Sequence, residues 1–421
     1  MKVLHLTSSR LDSGAGRGAY SLHKALQSVG VESNMLVAIK TNDDSSVYST
    51  ASKIEKLIPN IRGYIESLPL YAYPQRQRYV FSPSWLPTNM ERKMQKFNPD
   101  LVNLHWVCRG FLNPSNLPKF NKPIIWTLRD MWAFTGGCHY TEGCQNYLSS
   151  CGNCPYLNSG KENDLSRNVW KRKLKHWENL NITIVALSHW LADCAKQSSL
   201  FKNKRVEVIH NALDAAKFKP LPKKFVRKIL GLPQDKKIIL YGAIEALTDK
   251  RKGFQYLEIA LQQLAQNGYN ENAEVVIFGS SKPENAPDLG MPITYMGRLH
   301  DDISLALVYA AADVSIVPSI QEAFGKTAME SLACGTPVVS FDSTGLKDIV
   351  EHEKNGYRAT CFSADDLAKG IAWVLQDEQR WQVLSHRARE KVEQEFTLDI
   401  QARSYLQLYQ EALQSYTLRS G

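Results

Sequence analysis

Short apolar and β-branched runs alternate with amphipathic stretches along the 421-residue chain. In the first half the runs are KVLHLT, MLVAI, LVNL, IIWTL, ITIVAL and VEVI. After a Pro- and Lys-rich break, NALDAAKFKPLPKKFVRKILGLPQD, they resume as KIILYG, EVVIFG, ITYMG, DVSIVPS and PVVSF. Runs this short, mostly followed by turn residues and a helical pattern, predict strands of parallel sheets covered by helices on both faces. The break reads as an interdomain linker. The pattern therefore predicts an α/β chain of two doubly wound sheets in tandem, with domains at 1–215 and 216–396 and a closing segment at 397–421. Sheets of this type bind ligands outside the carboxyl ends of their strands, so the site is expected in a cleft between two facing sheets.

Composition adds bounds rather than a function. The length suits two domains, each able to bury a core. With 43% hydrophobic and 22% charged residues and no low-complexity tract, the chain is not of a disordered class. The start, MKVLHLTSSRLDSG, lacks the length and cleavage site of a secretory signal, and no run of eighteen apolar residues occurs, so a cytoplasmic protein is expected. A net charge of +9 favours anionic partners without choosing among nucleotide, lipid and nucleic acid.

The stretch SIQEAFGKTAMESLACGTPVVSF carries two carboxylates, Glu322 and Glu330, among small and apolar side chains. DVSIVPS predicts a buried strand, IQEAFG the loop leaving it, and KTAMESLACG a helix closed by Gly335 and Pro337. Glu322 then sits on the loop, and Glu330 on the helix with Lys326 four residues before it. One reading is a surface pair of Lys326 with Glu330, Glu322 merely favouring the helix N-terminus. The other uses backbone N–H groups of Phe324, Gly325 and Lys326 as an anion site for a diphosphate. A sugar nucleotide held there would offer its ribose to Glu330 and its hexose to Glu322.

EAFGKTAMESLACGTPVV resembles the E-x7-E signature of the retaining glycosyltransferases of family 4, which have the GT-B fold of two Rossmann-like domains. SGAGRGAYSLHKAL, DLVNLHW, VIHNALDAAKF, DKRKGF and FTLDIQARSYLQLYQEAL extend the resemblance over nearly the whole chain, and TLRDMWAFTGGCHY with its trailing cysteines resembles the colanic-acid type of exopolysaccharide assembly. The resemblance implies a hexosyltransferase with a UDP- or GDP-sugar donor and a saccharide or lipid-linked oligosaccharide acceptor, with no cofactor needed for the chemistry. The helix at 397–421 is expected to pack back towards the first domain. Carried over by residue, it assigns Glu322 to the transferred sugar, Glu330 to the ribose, Phe324 and Gly325 to backbone contacts, and Lys252 to the diphosphate. Gly14 and Gly16 match the glycines of the first loop. Two positions depart from the pattern: Ala243 follows the strand glycine where an Arg is usual, with Arg251 as a substitute cation, and Arg129 stands where a His is usual, with His139 close by in sequence.

Four of the eight cysteines, Cys138, Cys144, Cys151 and Cys154, fall in CHYTEGCQNYLSSCGNCP. The closing C-x2-C has the spacing of a metal knuckle, so a structural zinc site and a loop of free thiols are both open. In NVWKRKLKHWENL, Trp170 and Trp177 share a helical face among cations such as Arg172 and Lys175, which suits either a basic face resting on anionic lipid or a core helix. Aromatics and cations in YAYPQRQRYVFSPSWLP suggest an acceptor loop, with peripheral contact to the inner face of the plasma membrane as a corollary. Rival classes are a non-catalytic sugar-nucleotide binder and a basic nucleic-acid-binding protein with a four-cysteine zinc module; the second leaves the paired glutamates unexplained, so no nucleic acid is expected. An NAD-dependent oxidoreductase lacks its G-x-G-x-x-G on the first strand.

Overall fold

The computed structural model describes residues 1–51, 61–77, 79–242 and 247–420. It divides into two units, one of Met1–His210 with Asp399–Gly421 and one of Asn211–Leu398. Against the sequence boundaries, the first unit ends at residue 210 rather than 215, and the chain returns to it at 399 rather than 397.

The N-terminal unit runs β1 (Lys2–Thr7), α1 (Gly14–Ser28), β2 (Glu32–Val37), β3 (Val47–Ser49), α2 (Ile61–Glu66), α3 (Met90–Gln95), β4 (Leu101–Leu104), β5 (Ile124–Thr127), α4 (Leu165–Trp177), β6 (Ile182–Ala186), α5 (His189–Gln197) and β7 (Arg205–Val208). Its seven strands are ordered β3-β2-β1-β4-β5-β6-β7, all parallel. The central strands β4 and β5 are buried at every position, as a sheet covered on both faces requires.

The C-terminal unit runs α6 (Lys223–Leu230), β8 (Lys237–Gly242), α7 (Phe254–Leu264), β9 (Ala273–Phe278), β10 (Ile293–Tyr295), α8 (Asp302–Ala311), β11 (Val314–Val317), α9 (Lys326–Ala333), β12 (Val338–Phe341), β13 (Gly356–Ala359), α10 (Ala364–Leu375) and α11 (Glu378–Glu395). Its six parallel strands are ordered β10-β9-β8-β11-β12-β13. Both sheets reverse their strand order once, between β1 and β4 and between β8 and β11, and such switch points are where doubly wound sheets take ligands.

The final helix, α12 (Leu398–Ser420), belongs to the N-terminal unit. Asn103 on β4 donates to the Tyr409 hydroxyl at 2.6 Å, and Thr127 on β5 meets the Tyr405 hydroxyl at 2.9 Å, all in the buried core. Paired in this way, the polar groups escape the desolvation penalty that each would carry alone.

Periodicity missed β3 and β13. Each is a short edge strand, and β13 opens on Gly356, where a Cβ would lie 2.1 Å from the Val338 carbonyl oxygen. Backbone proximity, not hydrophobic pattern, sets that strand. The segment read as linker is only partly one: α6 lies within it, and its Arg227 and Lys223 hold the buried Asp313 at 2.6 and 2.7 Å. Burial by itself would raise the Asp313 pKa, but the two cations outweigh it and keep the carboxyl below its ordinary value.

Candidate active site

The loops leaving β8 and β11 are pinned together at the C-terminal unit's switch point. Gly253 has φ +75, and a Cβ on it would lie 1.8 Å from the Pro318 carbonyl oxygen, so only glycine lets the first loop lie against the second. The Ile320 N–H donates to the Arg251 carbonyl at 2.8 Å, and the Arg251 guanidinium donates to the Gln321 carbonyl at 3.1 Å. This clamp presents Lys252 to Glu322: the Lys252 ammonium donates to Glu322 Oε1, which also accepts from the Ser319 hydroxyl at 3.2 Å. Burial pushes the Glu322 pKa up, but Lys252 and then Arg251 outweigh it, holding the carboxyl below its ordinary value and ionised at neutral pH.

The loop from Glu322 to α9 is equally constrained. Glu322 donates its N–H to the Thr344 hydroxyl at 3.1 Å, and its carbonyl accepts from Gly345 at the same distance. Gly325 has φ +116, and a Cβ there would lie 2.5 Å from Leu346 Cδ2. Phe324 turns inward, 2% exposed, with its ring edge-on to Phe396 at 5.5 Å. Only its backbone could serve a ligand. No side chain caps Gly325, the residue that opens α9.

Lys326 and Glu330 do pair, at 3.4 Å, but the Glu330 side chain is only 3% exposed and also accepts from the Tyr309 hydroxyl at 3.0 Å. This corrects the surface-pair reading, because a carboxylate sunk that far is positioned rather than solvated. Arg251 is engaged by Asp249 at 2.9 Å and lies beside the Lys252–Glu322 pair. Thus Arg251, Lys252, Glu322, Phe324, Gly325, Lys326 and Glu330 fall on one continuous patch of loop and helix. Ala243 lies outside the described residues. Tyr309 was missed because it comes from α8, where the sequence marks it only as a core aromatic.

The remaining candidates belong to the N-terminal unit. Gly14 and Gly16 open α1 beneath the Ser13 cap, and a Cβ on Gly16 would lie 1.9 Å from the Arg10 carbonyl oxygen, so the turn itself demands that glycine. Arg129 is buried with its guanidinium 3.3 Å from His105 Nδ1, and burial brings its pKa down to about 10, still cationic at neutral pH. His139 is buried between Asp130 Oδ2 at 2.6 Å and the Ser82 hydroxyl at 2.9 Å, and Trp106 Nε1 donates to the same Asp130 oxygen at 2.6 Å. In this Ser–His–Asp chain Ser82 is only 1% exposed, which disfavours its hydroxyl as a nucleophile.

Outside the carboxyl ends of β1 and β4, the same unit holds a cavity of about 1300 Å³ lined by Ser9, Arg10, Lys93, Trp106, Arg109 and Phe111 among others. Sequence reading missed it, since its walls come from segments scattered over the first 111 residues. The helix carrying Trp170 and Trp177 is a core helix: Trp177 is 1% exposed, Lys173 is buried against the Trp132 ring at 3.7 Å, and Trp170 donates to Ser199 at 2.9 Å. Among the described residues no helix is long and apolar enough to cross a membrane.

Comparison with known proteins agrees with this division. Residues 13–217 match the family model Glycosyltransferase Family 4, and residues 222–391 match Glycosyl transferases group 1. The chain has the GT-B fold of two Rossmann-like domains. Among solved structures, this GT-B chain is similar to the sucrose-phosphate synthase tll1590 of Thermosynechococcus elongatus, with TM-score 0.71 at 20% identity over 99% of this chain and 100% of that one. It is also similar to Anabaena Alr3699/HepE, a structure in complex with UDP-glucose, with TM-score 0.66 at 16% identity over 98% of this chain and 100% of that one. These likenesses concern the fold. Among relatives, an uncharacterized glycosyltransferase of Methanocaldococcus jannaschii, MJ1607, is 31% identical over 45% of this chain and 48% of its own length. A D-inositol 3-phosphate glycosyltransferase of Thermobispora bispora is 31% identical over 50% of this chain and 51% of its own. The chain thus spans about half the length of these curated relatives.

Proposed function

We propose that the GT-B chain transfers a hexosyl group from a nucleoside diphosphate sugar, UDP- or GDP-linked, to a saccharide or lipid-linked saccharide, with retention of anomeric configuration. The observation that carries this reading is the Lys252–Glu322 pair at the exits of β8 and β11, with the buried Glu330 on the helix that follows. A diphosphate would be met by Lys252 and the N-terminus of α9, Glu330 would accept from the ribose hydroxyls, and Glu322 would face the sugar. In transfer, the bond from the anomeric carbon to the diphosphate oxygen breaks while the acceptor oxygen bonds to that carbon on the same face. The acceptor proton passes to the departing diphosphate, whose charge Lys252 stabilises. No metal or redox cofactor takes part in these steps.

The large cavity of the N-terminal unit, with cations Arg10, Lys93 and Arg109 beside apolar walls, supports an amphipathic, anionic acceptor such as a lipid-linked saccharide. Assembly of a bacterial surface polysaccharide, at the inner face of the plasma membrane, is the setting this acceptor suggests. Co-sedimentation with anionic vesicles tests the membrane contact, and no binding at low salt would count against it. A thermal-shift screen of nucleotide sugars, followed by donor turnover with the best binder, tests the enzyme reading. The correct donor at a hundred times its Kd should stabilise by about 2.7 kcal/mol. Binding without transfer or hydrolysis would leave a non-catalytic sugar-nucleotide binder.

A further inference from the structure

Residues 128–164 connect β5 to α4 with two single-turn helices, Trp132–Phe134 and Asn146–Leu148, as their helical structure. A connection this long with so little regular structure needs another source of order. Cys138, Cys144, Cys151 and Cys154 all line one small cavity of about 20 Å³ inside it, large enough for a single ion or water. Tyr156, 6% exposed, lines the same cavity, and among the described residues its hydroxyl has no hydrogen-bond partner.

The surrounding backbone is built to hold sulfur. The Cys154 thiol faces the backbone N–H groups of Tyr156 and Leu157, and the Cys151 thiol faces that of Gly136. A Cβ on Gly136 would lie 2.9 Å from Cys151 Sγ, so glycine is what admits that sulfur. The Cys151–Cys154 turn is clamped to the start of α4: Cys154 N–H donates to Asp164 Oδ2, Gly152 N–H to the Ser166 hydroxyl and Arg167 Nε to the Cys151 carbonyl, each at 2.9 Å.

We propose that Cys138, Cys144, Cys151 and Cys154 bind one structural Zn²⁺ as four thiolates. An all-sulfur set selects a soft, tetrahedral ion and leaves no open position, so the metal holds the loop and does no chemistry. Among the described residues no three of the four sulfurs lie within 4.8 Å of one another, so they surround the cavity and must close on the ion. Each thiol gives up its proton on binding.

Metal analysis of the full chain purified without chelator tests this, with about one zinc per chain expected. The ratio should fall by about fivefold or more in a Cys151→Ser, Cys154→Ser double variant. It should hold in Cys361→Ser, whose exposed thiol belongs to the other unit. Should the double variant fail to fold, chelator-stripped native chain loaded with Co²⁺ answers instead, by the thiolate-to-metal charge-transfer band of a tetrahedral sulfur site. Less than about a tenth of an equivalent of zinc, with no cobalt band, overturns the proposal. So does a mass lowered by two hydrogens per disulfide in the isolated chain, or iron in place of zinc.

Discussion

At the exits of β8 and β11 the C-terminal sheet leaves Lys252 and Glu322 half-buried, whereas beyond β5 the N-terminal sheet buries Arg129, Asp130 and His139, each 8% exposed or less. Both sets follow central strands of a doubly wound parallel sheet. What separates them is the loop. The chain from β11 reaches the N-terminus of α9 in eight residues, so its polar groups stay at the rim. The chain from β5 wanders from 128 to 164 before α4 begins, and its own length covers the polar groups nearest the strand. Similar residue types therefore lie at the rim of one unit and in a buried network of the other.

That contrast breaks most directly at Glu322. If its carboxylate faces developing positive charge at the anomeric carbon, Glu322→Gln should lower kcat by about 10²–10³ with the donor KM nearly unchanged. Steady-state kinetics on the correct donor measure this, and a defect confined to KM would reverse the assignments of Glu322 and Glu330.

Acidification should separate the two units by stability. Burial holds His23 at about 4 and, as the largest cause, holds His5 and His105 well below 6.5. These imidazoles are neutral in the folded N-terminal unit, so below pH 6.5 the unfolded chain binds protons that the folded chain does not. The histidines' contribution should fall as pH drops from 6.5 towards 4, by about 3 kcal/mol for His23 alone, while Glu66, whose carboxyl burial pushes up to about 7, is protonated first in the folded chain and offsets part of that loss. In the C-terminal unit Glu322 and Asp313 are depressed carboxyls, so their contribution persists until pH falls below their unfolded values, 4.5 and 3.8. Hydrogen exchange followed by mass spectrometry at pH 5 should show the N-terminal unit opening first; uniform opening would contradict the histidine account.

Glu330→Ala should raise the donor KM by about 10- to 100-fold with a smaller loss in kcat, since a charge-assisted bond to the ribose, worth roughly 1.5–3 kcal/mol, is made in ground and transition states alike. The smallest effect belongs to the buried scaffold. Tyr409→Phe removes the acceptor of the Asn103 amide N–H and should cost about 1 kcal/mol of stability, read as a lowered Tm, with kcat unchanged. A fall in kcat at unchanged Tm would mean that the N-terminal network does more than hold its sheet.

The sequence by itself determined the local part of this picture. Apolar runs marked every central strand and missed only the edges β3 and β13, and the spacing of Lys326 and Glu330 placed them on one helical face, because helix and strand periods are properties of neighbouring residues. It also placed Glu322 on a loop, from the Pro and Gly that bracket it. Only the tertiary structure decided which groups meet. Lys252 reaches Glu322 across 70 residues, and Asn103 reaches Tyr409 across 306, because strand order in the sheets brings those segments together. Only folding, too, buried Arg129 and His139, sank Glu330 beneath Tyr309, and gathered four irregularly spaced cysteines around one cavity. Periodicity reports that a side chain has a face to bury; it carries no record of the partner, which is fixed when distant elements pack.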